Sequence, residues 1–194
     1  MEEIRSFISI ELPEPVRSHL AELQRLLRQS GNLPVKWVRP ESIHLTLKFL
    51  GNVASSRVPE LSEAISKAVD GFGPIDLKIG APGAFPNARS PRVVWVGLEG
   101  QTDELSRLQA SVERALNPLG FPPEKRSFAP HLTLGRVRDQ ARPDERRRLG
   151  EAVAGLDAGA ATGFRADSVN LMKSVLAIEG AIYTCLSTAT LTGR

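Results

Sequence analysis

The chain has 194 residues, 41% hydrophobic and 24% charged, which excludes a disordered chain and leaves enough apolar side chain for a sizeable core. Its formal net charge is only +3, with a pI of about 9.3; that suits a phosphate-bearing partner, though a solvated surface accounts for it as readily. A single cysteine, Cys185, excludes an intrachain disulfide and a thiolate metal cluster.

The opening Met1-Glu2-Glu3-Ile4-Arg5 lacks the layout of a secretory signal. No apolar run approaches the roughly 20 residues that span a bilayer. A soluble, cytoplasmic protein is the expectation.

In chain order, Ile4 to Leu12 reads as a strand with Ile4, Ser6, Ile8 and Ile10 on one face. A helix follows, with Pro13 and Pro15 at its start, an apolar stripe of Val16, Leu20, Leu23 and Leu27, and Gly31 at its end. Strands are predicted near 35–38 and over 43–50, the second closed by Gly51-Asn52. A helix is predicted over 58–69, with Leu61, Ile65, Ala68 and Val69 facing inward. Strands near 75–79 and 93–98 flank a loop rich in Pro, Gly and Arg.

The order then repeats. Thr102 is a good N-cap for a helix to about Leu119, carrying Leu105, Leu108, Val112 and Leu116 at helical spacing. A strand over 131–137, a short helix over 145–153, and strands over 168–178 and 181–191 complete the reading. His44 and His131 each open a His-Leu-Thr-Leu tetrapeptide, 87 positions apart (131 − 44). Phe7 aligns with Trp95, and Ile8 with Val96, at an offset of 88. We therefore read one bilobal domain over residues 1–194, α+β in class. Its two duplicated lobes, about 1–91 and 92–194, face each other across a cleft lined by antiparallel sheets, with helices outside and strands open to exchange between lobes.

In a strand, residues i and i+2 share a side. His44 and Thr46 therefore project together, as do His131 and Thr133, while the leucines anchor the strands. Two opposed imidazoles suit in-line displacement at phosphorus: one takes a proton from the attacking oxygen and the other gives one to the leaving oxygen. An ordinary pKa of about 6.5 makes both forms accessible near neutrality. The threonine hydroxyls can donate to the phosphoryl oxygens, where negative charge gathers. This chemistry calls for no metal and no cofactor. A single His-x-Thr strand is usually packing, but two of the chain's three histidines occupy these matched slots; the third, His19, reads as a surface residue of the first helix.

Strict alternation puts Lys48 on the His44 face, near the substrate, and turns Arg136 away unless a bulge or strand end redirects it toward phosphate. Phe7, Trp37 and Phe49 are candidates to stack a base, with core packing the favoured reading of Phe49. The run Arg146-Arg147-Arg148 reads as a solvated helix face. A non-catalytic nucleotide- or RNA-binding module using the same cleft is the rival reading.

These segments carry a resemblance. Lys36 to Gly51, Gly83-Ala84-Phe85-Pro86, Pro91 to Gly97 and Phe128 to Val137, together with Arg5 to Pro13, resemble the RNA 2′,3′-cyclic phosphodiesterase (2′-5′ RNA ligase) family of the two-histidine phosphoesterases. The resemblance implies hydrolysis of RNA 2′,3′-cyclic phosphate ends to 2′-phosphates without a cofactor, with His44 as proton donor and His131 as proton acceptor. It also implies reversible 2′-5′ joining, with tRNA fragments among the possible partners. A monomer is the expectation.

Overall fold

The computed structural model describes residues 2–159, 162–177 and 180–193. Met1 and the expected strand end at Ile178 lie outside them. The elements are β1 (Glu3–Ile10), α1 (Glu14–Gln29), β2 (Val35–Trp37), β3 (Leu45–Ala54), α2 (Val58–Val69), β4 (Ile75–Phe85), β5 (Val93–Gly100), α3 (Thr102–Leu116), β6 (His131–Val137), α4 (Pro143–Ala154), β7 (Gly163–Ala166), β8 (Ser168–Ala177) and β9 (Gly180–Thr190).

The helices form where apolar spacing and end signals agree. Helix α1 takes Pro15 in its first turn, buries Val16, Leu20, Leu23 and Leu27, and ends with Arg28 in its last turn. Helix α2 spans the predicted residues and buries the predicted four. Helix α3 begins at Thr102 with Gln101 at the cap, one residue earlier than the Thr102 cap expected, and tightens into a 3₁₀ turn at Asn117–Leu119.

Two antiparallel sheets carry the fold, in the orders β3-β1-β8-β9 and β2-β6-β5-β4-β7. Each sheet draws strands from both halves of the sequence, and one continuous core joins them to the helices. No described helix is long and apolar enough to cross a membrane. Strand β3 continues past Gly51, which takes φ +71, a conformation that costs glycine little, so the expected stop becomes a bend within the strand. Strand β7 was not expected; four residues are too short for alternation to stand out.

The register of β3 and β6 decides which side chains reach the site. Ser9 pairs with Thr46 and Ile8 with Lys48, so Leu47 is an extra residue in β3. Trp95 pairs with Thr133 and Val94 with Gly135, so Leu134 is the matching extra residue in β6. Each bulge inverts the alternation beyond it. The pairings also correct the alignment of the halves. Phe7 lies opposite Phe49 and Val93 opposite Arg136, so β1 and β5 correspond at an offset of 86 (93 − 7), with Ser9 matching Trp95. The offset of 88 slips by two residues, which keeps every side chain on its proper face and hides the error in the sequence pattern.

Candidate active site

His44 follows the 3₁₀ turn Pro40–Ser42 at the entry to β3, and His131 is the first residue of β6. Both rings are held alike: Nδ1 of His44 meets the Ser42 carbonyl oxygen at 3.0 Å, and Nδ1 of His131 meets that of Ala129 at 2.7 Å. A carbonyl oxygen only accepts, so Nδ1 carries the proton in each ring and Nε2 is left for chemistry. The anchoring leucines Leu45 and Leu132 are fully buried.

Aromatic rings support both imidazoles. Phe7 stacks on His44 with ring centroids 4.5 Å apart, and Tyr183 meets His44 edge-on at 5.0 Å. Phe85 meets His131 edge-on at 5.0 Å, and Trp95 stands 6.2 Å away. Burial of His44 lowers its pKa from 6.5 to about 4, against the opposing pull of the Ser42 carbonyl. His44 is therefore neutral at pH 7.

A cleft of about 800 Å³ brings His44, Thr46, His131 and Thr133 together. The bulges add Phe49 from β3 and Arg136 from β6 as matching neighbours of the two threonines. Phe49 is 58% exposed, which corrects its reading as core. Arg136 faces the cleft because Leu134 supplies the inward turn. Burial raises the Tyr183 pKa, while the charges of Arg136 and Arg5 oppose that rise; one guanidinium from each sheet thus lies near the same phenol.

Three expectations are corrected. Lys48 does not share the His44 face: beyond the Leu47 bulge it points inward, 2% exposed, pairs with Glu113 and donates to the Pro122 carbonyl at 2.9 Å. Trp37 does not line the cleft; it packs on the core at the edge of its sheet, with Arg28 5.4 Å from its ring. Phe7 is buried and its face is covered by His44, so it supports the imidazole where it was expected to stack a base.

His19 is half-buried on α1, apart from the cleft, rather than a surface residue. Arg146 is not a solvated side chain either: it donates to the Pro91 carbonyl at 2.8 Å and to three more carbonyls nearby.

Sequence reasoning missed Tyr183, Phe85, Arg5 and Arg126, all of which line the cleft. Phe85 and Arg5 sit inside segments that carry the resemblance, but nothing local marks Tyr183 or Arg126; strand exchange brings Tyr183 to the first histidine. Among the described residues, no group of three or more His, Cys, Asp or Glu side chains comes together as a metal ligand set.

Comparison with known proteins agrees with this geometry. The LigT-like phosphoesterase family matches twice, over residues 10–95 and 96–183. The chain is 36% identical over 182 residues to the RNA 2′,3′-cyclic phosphodiesterase of Methanothermobacter thermautotrophicus, covering 94% of this chain and 96% of that one. A Thermus thermophilus structure superimposes with a TM-score of 0.79 at 26% identity, covering 98% and 100% of the two chains. Escherichia coli LigT complexed with 3′-AMP also gives 0.79, at 24% identity over 98% and 99%, a likeness of fold. Two matches covering nearly the whole chain, each holding one His-x-Thr strand, place it plainly: the chain belongs to the LigT-like phosphoesterase family.

Proposed function

We propose that this chain hydrolyses the 2′,3′-cyclic phosphate ends of RNA to 2′-phosphates. The observation that carries the reading is the meeting of two equally anchored His-x-Thr pairs in one cleft. Relatives named RNA 2′,3′-cyclic phosphodiesterase support the substrate class.

In the proposed step a water oxygen attacks phosphorus in line with the 3′ oxygen. Nε2 of His131 takes the water proton, the P–O3′ bond breaks, and Nε2 of His44 delivers a proton to the departing 3′ oxygen. The products are a 2′-phosphate and a free 3′-hydroxyl. Thr46, Thr133 and Arg136 donate to the phosphoryl oxygens.

The direction of proton flow rests on the family resemblance. Desolvation alone keeps His44 neutral and works against a donor; the phosphodiester anion beside it restores the imidazolium, so substrate and proton arrive together. Run in reverse, with an RNA 5′-hydroxyl in place of water, the same groups form a 2′-5′ linkage, for which tRNA fragments are candidate substrates. One chain supplies both histidines, so a cytoplasmic monomer is a complete unit in this proposal. Incubation with 2′,3′-cyclic AMP tests the reading: 2′-AMP is the expected product. Binding without turnover would favour a non-catalytic module, and 3′-AMP would reverse the bond that breaks.

A further inference from the structure

A second hollow, of about 440 Å³, lies beside the cleft across a ridge formed by His44 and Tyr183. The two spaces share Ser42, Ile43 and Ala181 as well as the ridge. The hollow's lining includes the buried Met172 and the exposed Cys185, paired across β8 and β9. Arg17 and Arg39 stand at its wall with Glu11 and Glu41. Arg17 is tethered by Nε donating to the Leu12 carbonyl at 2.7 Å, which holds its guanidinium in place. The volume lies within the range of small-ligand sites, and none of the catalytic steps above uses it.

The occupant follows from the chemistry proposed for the cleft. His44 faces the leaving 3′ oxygen. The RNA chain continues from the 5′ oxygen of that same ribose, so it starts out close to His44, which lines both spaces. Guanidinium forks suit the next phosphodiester, and the two carboxylates can accept from ribose hydroxyls or base amino groups.

We propose that this hollow receives the nucleotide immediately upstream of the cyclic end, so that the enzyme reads at least a dinucleotide rather than a cyclic mononucleotide. The inference rests on the hydrolytic reading above and adds a specificity subsite to it.

The test compares 2′,3′-cyclic AMP with the adenylyl dinucleotide ending in a 2′,3′-cyclic phosphate. The dinucleotide is expected to show a KM at least about tenfold lower, the scale of one charge-assisted contact. Arg39→Gln is expected to bring the ratio of the two KM values close to one. In parallel, alkylation of the exposed Cys185 thiol by N-ethylmaleimide is expected to slow in the presence of the 2′-phosphorylated dinucleotide and not with 2′-AMP. Equal KM values in the unmodified protein, or no protection of Cys185 by the dinucleotide, overturn the subsite. If neither substrate is turned over, the hydrolytic reading fails, and Cys185 protection by itself decides whether the hollow binds.

Discussion

Gln24 and Gln109 hold the two motif strands by equivalent bonds from the two halves of the chain. Nε2 of Gln24, on α1, donates to the carbonyl of Leu134 at 2.8 Å and to that of Val38 at 2.7 Å. Nε2 of Gln109, on α3, donates to the carbonyl of Leu47 at 3.3 Å. Each glutamine thus grips the bulged leucine of the other half's His-Leu-Thr-Leu strand. A bulge takes its extra residue out of the regular ladder; the Leu134 carbonyl accepts from the Val38 N–H at 2.9 Å as well as from Gln24, and the Leu47 carbonyl accepts from Gln109.

Replacing Gln24 by Leu removes the side-chain donor to the Val38 carbonyl and one of the two donors to the Leu134 carbonyl, at a site only 2% exposed. The expected cost is about 1–3 kcal/mol of unfolding free energy, read by urea denaturation. The fraction that folds should also show lowered kcat/KM, because the Leu134 bulge aims Arg136. A variant of unchanged stability and activity would show that the bulge needs no brace.

Lys48 is a structural cation. With Glu113 it forms a pair whose side chains are 2% and 8% exposed, and it ties β3 to the loop leading to His131. Lys48→Met strands a buried carboxylate, at an expected cost of about 3–5 kcal/mol. Adding Glu113→Leu should recover most of that loss. A Lys48→Met protein as stable as the parent in thermal unfolding would contradict the assignment.

Arg136 is expected to act on phosphate. Arg136→Ala should lower kcat/KM by about ten- to a hundredfold, the loss of one charge-assisted donor. Arg136→Lys should recover part of it, since a point charge replaces a fork. Steady-state kinetics with a 2′,3′-cyclic mononucleotide decides; full activity in the alanine variant would remove Arg136 from the site.

The pKa of His44, about 4 when folded against about 6.5 when unfolded, fixes a pH effect and its sign. Between these values the unfolded chain holds the extra proton, so stability rises with pH there. The contribution is complete above about 6.5 and is lost as pH falls toward 4, at most about 3 kcal/mol. Urea unfolding at pH 7 and pH 4 should show this slope, and His44→Gln should lack it. The acid limb of kcat/KM should inflect near 4 whichever histidine is the acid, because the profile reports the free enzyme. An acid limb near 6.5 would contradict the burial of His44.

The helices were legible because their apolar stripes and terminal signals agree, as in α2. Both histidines and threonines were legible because a repeated tetrapeptide fixes which side chains share a side. What lay beyond Leu47 and Leu134 was not: a bulge is a property of two paired strands, and neither strand alone records it. Lys48 and Arg136 were placed by strict alternation, which put the first on the wrong face and turned the second inward only if a bulge intervened, as it does at Leu134. Tyr183 was missed because strand exchange, rather than sequence proximity, places β8 beside β1 and so carries β9, the next strand, to His44.

The central claim is that His44 and His131 act as one acid-base unit in one site. The most direct measurement is single-turnover hydrolysis of 2′,3′-cyclic AMP by the parent, His44→Ala, His131→Ala and the double variant, with folding checked by circular dichroism. Each single variant should lose about 10²–10⁴-fold, and the double little more than the worse single, since groups acting as a unit are not additive. Full activity in either single variant, or losses that multiply in the double, would contradict a shared site.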